Sequence, residues 1–155
     1  MKNNLKFAVA AGLLTLSLGA GFAFAAMSAD DAIKGRKACM KLGHGGVMGV
    51  AVPIMKGEMP YDAAALKAAY DNEDKNCANY DALFGADTKQ GTTEKTNALP
   101  AIWTDPEGFK AAGGVWYAAS QKLRATTDEA SFKAAFPALG ASCKGCHEKF
   151  RAALQ

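Results

Sequence analysis

Five residues near the end of the chain, Cys143-Lys144-Gly145-Cys146-His147, constrain what it can fold into more than any other segment. Two cysteines two residues apart, followed at once by histidine, form the attachment pattern of c-type haem. Each sulfur adds to one vinyl group on the porphyrin edge, and the imidazole then meets the iron from one face. The spacing suits a helix. Cys143 and Cys146 stand at i and i+3 and His147 lies one turn beyond Cys143, so all three address one flat ligand. A thioredoxin-like redox pair uses the same two cysteines, but usually beside a βαβ pattern, and no strand pattern precedes this one. A structural zinc site would need a further ligand from Cys39, Cys77 or His44, each far away in sequence and none paired as a second knuckle.

The opposite end of the chain indicates the compartment. Lys2 and Lys6 give a positive start, residues 7–24 are almost wholly apolar, and Ala23-Phe24-Ala25 offers a small-x-small cleavage site. The run is long enough to span a membrane. The cleavage site and the polar Ser28-Ala29-Asp30-Asp31 after it point instead to a secretory signal, residues 1–25, removed to leave one domain, residues 26–155. No later stretch reads as membrane-spanning. Losing Lys2 and Lys6 lowers the formal charge from +3 to about +1, and two haem propionates bring it near −1. That balance lacks the basic stripe of a nucleic-acid-binding protein. Export and covalent haem belong together, so a periplasmic location is expected.

Apolar spacing along the exported chain is helical, with abundant alanine and few β-branched residues. The first helix is expected from Ser28, whose Ser-x-x-Asp pattern resembles a capping box, to about Met55. Gly43, Gly45 and Gly46 weaken its middle, and Pro53 bends its last turn. After a turn over Lys56–Pro60, a second helix begins near Asp62 and continues toward Tyr80. A loop is expected from about Gly85 to Trp103. The third helix follows, with Asp105 as N-cap and Pro106 at its first position, and runs to about Arg124. Thr126–Glu129 caps a fourth helix that leads into the haem motif and is kinked at Pro137. Short connections and one long crossover describe an all-α, antiparallel four-helix bundle with its cofactor between the helices.

Cys39 and Cys77 lie at equal distances from the turn joining the first two helices. In an antiparallel hairpin they stand at the same height, about 28 Å from the turn at ~1.5 Å per residue. The pair either clamps the two helices with a disulfide, the expectation in an oxidising compartment, or packs as two small buried hydrophobes. His44 is expected as a partly exposed side chain, with a role as second axial iron ligand the alternative.

Several segments together resemble the cytochromes c′, the class II c-type cytochromes of bacterial periplasms. They are Arg36-Lys37-Ala38-Cys39-Met40-Lys41-Leu42, Lys56-Gly57-Glu58-Met59-Pro60-Tyr61-Asp62-Ala63-Ala64, Pro100-Ala101-Ile102-Trp103, and Gly140 through His147. The resemblance covers essentially the whole exported chain. It implies one haem c bound through Cys143 and Cys146, His147 as proximal ligand, and five-coordinate iron. It implies Arg151 shielding the proximal face, Arg36 near a haem propionate, Met40 over the empty distal face, and Phe84 helping to line that pocket. It also implies a homodimer through the first two helices. The sequence departs from the family in two ways. Its glycine patch carries one residue more than the common pattern, so Met40 aligns when counted from the N-terminal side and Lys41 when counted back from the turn. The Cys39/Cys77 pair is not a general family feature.

Three functions follow from these expectations. An apolar lid over five-coordinate haem gives bound dioxygen no hydrogen bond and crowds every ligand, which favours nitric oxide and admits carbon monoxide more weakly. The implied role is binding or buffering nitric oxide. The alternative is a plain electron carrier, serving an unidentified periplasmic redox partner, in which Met40 ligates low-spin iron as in close relatives of the family. Enzymatic peroxide cleavage is the third and weakest, because it wants a polar distal acid–base group and His44 has no evident partner in the sequence.

Overall fold

The computed structural model describes residues 27–153; the expected signal, residues 1–25, lies outside them. The first helix starts where its cap predicts: the Ser28 hydroxyl accepts from the Asp31 amide at 3.1 Å and donates to the Asp31 carboxylate at 2.7 Å. It proceeds as α1 (Ala29–Ala38), a π turn over Cys39–His44, and α2 (Gly45–Lys56), one continuous helix of 28 residues. Gly57, at φ 75°, closes it in the left-handed conformation that glycine adopts without steric cost.

The glycine patch therefore does not interrupt the helix. It permits the π turn, which takes in one extra residue without ending the rod. Contrary to the expectation that no stretch after the signal could span a membrane, this helix could cross a bilayer by length and composition alone. Ile33, Val47 and Ile54 on it are instead buried in the fold, while Leu42 is half exposed.

The second long helix, α3 (Ala63–Asn76), is capped by the Asp62 carboxylate, which accepts from the Ala65 amide at 2.9 Å. It stops short of Tyr80. Asn79 takes φ 59°, a conformation asparagine tolerates better than most residues, and Tyr80–Phe84 continue as a 3-10 turn. The crossover is likewise less irregular than expected. It holds a second 3-10 turn, Ala86–Thr88, and a short helix, α4 (Ala101–Thr104), that starts after Pro100. Asp30 pins the crossover to α1 by accepting from the Glu94 amide at 2.9 Å and the Thr92 hydroxyl at 2.6 Å.

The last two helices begin as expected. In α5 (Pro106–Arg124) the Asp105 side chain accepts from the Gly108 amide at 3.0 Å with Pro106 at the first position. In α6 (Glu129–Phe150) Asp128 and Ser131 form a reciprocal capping box. Pro137 stands inside α6 without ending it. The carbonyl four residues earlier, on Lys133, loses its helical donor at an exposed position. The four long helices form a four-helix bundle in which α5 packs most extensively on α6. Val47, Ile54, Leu66, Tyr70, Leu123, Phe132 and Leu139 fill one end of its core.

Candidate functional site

At the other end of the bundle the helices part around a cavity of about 640 Å³. Met40 and Arg36 reach it from the first helix, Tyr80 and Phe84 from the 3-10 turn, Asn97 and Ala98 from the crossover, and Cys146, His147 and Arg151 from the end of α6. Of the residues expected at the haem site, Arg36, Met40, Phe84, Cys146, His147 and Arg151 thus share one wall. Cys143 is half-buried one turn earlier on α6 and is not part of that wall. His147 and Arg151, four residues apart on one helix face, reach the cavity together. Burial pushes both thiols up, which keeps them protonated. Burial, and then the Arg151 guanidinium, lowers the pKa of His147, so its imidazole stays neutral and able to ligate a metal.

Arg36 supplies a test of whether an anionic prosthetic group fits here. It is buried, and its guanidinium donates to the Thr88 carbonyl while lying over the Phe84 and Trp103 rings at 5.1 and 5.6 Å. Its Nη1 has no hydrogen-bond partner, and it makes no salt bridge among the described residues. Burial lowers its pKa. A buried cation without a counter-charge is costly, and a haem propionate would provide both the charge and the missing acceptor. The apolar wall, the neutral histidine, the nearby thiols and the orphaned guanidinium all fit haem c.

Met40 lies within the π turn, half-buried on the cavity wall, and the exposed Lys41 reaches the same wall. This resolves the double alignment of the glycine patch in structural terms: the additional residue is absorbed where Met40 and Lys41 sit, so both contact the cavity.

His44 has the partner that the sequence did not reveal. Its Nδ1 lies 2.6 Å from the Glu73 carboxylate, which is almost fully buried and also accepts from Arg124 at 2.9 Å. Its ring meets Trp116 edge-on, with centroids 4.7 Å apart. His44 does not line the cavity, which argues against it as a second axial ligand. Beside it Cys39 and Cys77 are joined as a disulfide, with Cα atoms 4.6 Å apart. The close approach requires Gly43, because a Cβ there would stand 2.8 Å from the Cys77 sulfur. Sequence reasoning missed Glu73, Arg124, Tyr80 and Trp103. Two of them left a local trace: Trp103 ends the segment Pro100-Ala101-Ile102-Trp103 that carries the resemblance, and Glu73 lies one helical turn before Cys77.

Fold and site together define a bundle-type c-type haem protein. Residues 31–151 match the family described as Cytochrome C'. The chain is 36% identical over 127 residues to the cytochrome c′ of Alcaligenes xylosoxydans xylosoxydans, a match covering 79% of this chain and 94% of that relative. It is 34% identical over 145 residues to a cytochrome c-556 of Agrobacterium fabrum, covering 92% of this chain and 93% of the relative. A solved nitric oxide complex of a mutant cytochrome c prime from Alcaligenes xylosoxidans superposes with a TM-score of 0.69 at 34% identity, covering 81% of this chain and 98% of that one. The chain belongs to the cytochrome c′ family and, as a member, carries covalently bound haem c.

Proposed function

We propose that this protein holds haem c through thioethers to Cys143 and Cys146, with His147 as the only protein ligand to a five-coordinate iron. We propose further that it binds nitric oxide, and carbon monoxide more weakly, in the periplasm. The observation that carries this reading is the composition of the cavity wall. His147 shares it with Met40 and aromatic side chains, while the only other histidine is held away by Glu73. Bound haem c supplies an iron that exchanges one electron and takes a diatomic gas at an open position.

The chain's own residues set the terms. A neutral His147 ligates without giving up a proton. Arg36 balances a propionate. Met40 excludes water from the distal side and offers no hydrogen-bond donor, so charged or hydrogen-bonded ligands gain nothing there. The nitric oxide bound by the mutant relative's complex supports the gas-binding reading. The homodimer through the first helix and α3 belongs to the same proposal, and Leu42, half exposed on the π turn, supplies an apolar contact for it. A role in catalysis is disfavoured because the His44–Glu73 acid–base pair is off the cavity wall.

A second reading rests on one observation. Met40 is unbranched and flexible, and its thioether already faces the cavity, so it could instead become the sixth ligand of a low-spin electron carrier. Absorption spectra of the ferric and ferrous holoprotein, with and without carbon monoxide, decide between them. A high-spin spectrum that shifts with carbon monoxide is expected. A low-spin spectrum with a methionine–iron charge-transfer band and no response to gas would make Met40 a ligand.

A further inference from the structure

Beyond the haem, one group of side chains has no part in the function proposed above. Cys39, Cys77 and His44 offer two sulfurs and an imidazole nitrogen that all lie within 4.8 Å of one another. The His44 Nε2 faces both sulfurs, at 3.6 Å from Cys39 and 4.0 Å from Cys77. Its other nitrogen is fixed by the Glu73 carboxylate at 2.6 Å. A histidine with one nitrogen turned to a pair of sulfurs and the other held by a buried carboxylate has the orientation of a metal-ligating histidine.

We propose that, when the disulfide is reduced, Cys39, Cys77 and His44 bind a zinc-like divalent cation, making this cluster a redox-gated metal site. Zinc–sulfur and zinc–nitrogen bonds of about 2.3 and 2.0–2.1 Å at a tetrahedral angle place sulfur and nitrogen about 3.5–3.6 Å apart. The two observed separations are already close to that edge. The two sulfurs have to part, and the Cys77 sulfur has to close slightly on His44. Three protein ligands leave a fourth position for water.

The reduction needs a dithiol or phosphine reductant. A dithiol gives two electrons and two protons to the S–S bond and becomes a disulfide itself; a phosphine gives the two electrons, takes oxygen from water to become the phosphine oxide, and the water supplies the two protons. Zinc then displaces the two thiol protons. Charge also balances: two thiolates cancel the dication, and Arg124 continues to cancel Glu73. The π turn contributes too, since it carries Cys39 and His44 together with the Gly43 that lets Cys77 approach.

The test uses haem-loaded protein, in which thioether formation leaves Cys39 and Cys77 as the only cysteines able to yield thiols. The holoprotein is reduced with a phosphine, checked for two thiols per chain, freed of reductant and titrated with zinc by calorimetry under anaerobic conditions. One zinc per reduced chain and none per oxidised chain is expected. Glu73→Gln should weaken binding by roughly 10–100-fold through loss of the carboxylate behind His44. His44→Gln should weaken it further, with an unchanged Soret band showing that the variant is folded. The proposal fails if native protein yields no thiols, if the reduced chain takes up no stoichiometric zinc, or if His44→Gln binds zinc as tightly as the parent.

Discussion

At one end of the bundle Val47, Ile54, Tyr70, Leu123, Phe132 and Leu139 fill the space between four helices with their own side chains. At the other, Arg36, Met40, Phe84, Phe109 and His147 stand around about 640 Å³ that the chain does not fill itself. The same helices supply both regions, so the difference lies in what each turn presents. The packed end uses apolar residues that satisfy one another. The cavity end includes a buried guanidinium with no counter-charge among the described residues, and the Cys146 thiol on its wall. Self-sufficient packing there gives way to walls shaped for a cofactor, and the disulfide with its His44–Glu73–Arg124 network lies at the junction.

If the two ends are distinct in this way, substitutions at each should be read by different instruments. The largest loss of stability is expected from Phe132→Ala, at 0% exposure the largest fully buried side chain, at about 3–5 kcal/mol in chemical denaturation. The haem spectrum should not change. A spectral change of the same size as that from a cavity substitution would show the two ends to be one unit. Replacing both Cys39 and Cys77 by serine removes a cross-link spanning 38 residues and should cost about 2–4 kcal/mol, measured the same way.

Alkaline pH probes the packed end through Tyr70, which burial pushes up to about 12 from an ordinary 10. Its folded pKa is raised, so its contribution is complete below pH 10 and is lost as the pH rises from 10 through about 12. Denaturation curves across that window should steepen in pH dependence for the parent and flatten for Tyr70→Phe. Asp62→Ala, which strips the cap of α3, should cost about 1 kcal/mol. Met40→Ala should have the least effect on stability. It should nevertheless raise the ferrous protein's affinity for carbon monoxide, read by titration of the Soret band, because the crowding side chain is gone. If affinity does not rise, Met40 is not the lid.

Much of the helical framework was legible in the sequence because caps are local chemistry. Ser28, Asp105 and Asp128 each need only the next three residues to form their hydrogen bonds. The haem motif was legible for a similar reason, since its five residues carry their own spacing. Helix ends set by tertiary contact were not. The second helix stops at Asn76, beside the disulfide and before the left-handed Asn79, and nothing in the apolar spacing there marks the break. The extra residue in the glycine patch was countable, yet its conversion into a π turn depends on packing against α3. The pairing of His44 with Glu73 joins residues 29 positions apart and left no local pattern.

The C-terminal residues carry one more consequence. The Leu99 amide donates to the Phe150 carbonyl at 3.0 Å and the Ala152 amide to the Asn97 carbonyl at 2.8 Å, around an antiparallel bridge between Ala98 and Arg151. This is where the crossover wall of the cavity is fastened to the end of α6 and the residues that follow it. The pocket is therefore closed on that side by a latch of two backbone hydrogen bonds rather than by packing alone. Opening that latch would free the crossover wall without disturbing the packed end of the bundle, and so widen the way in for a large flat molecule.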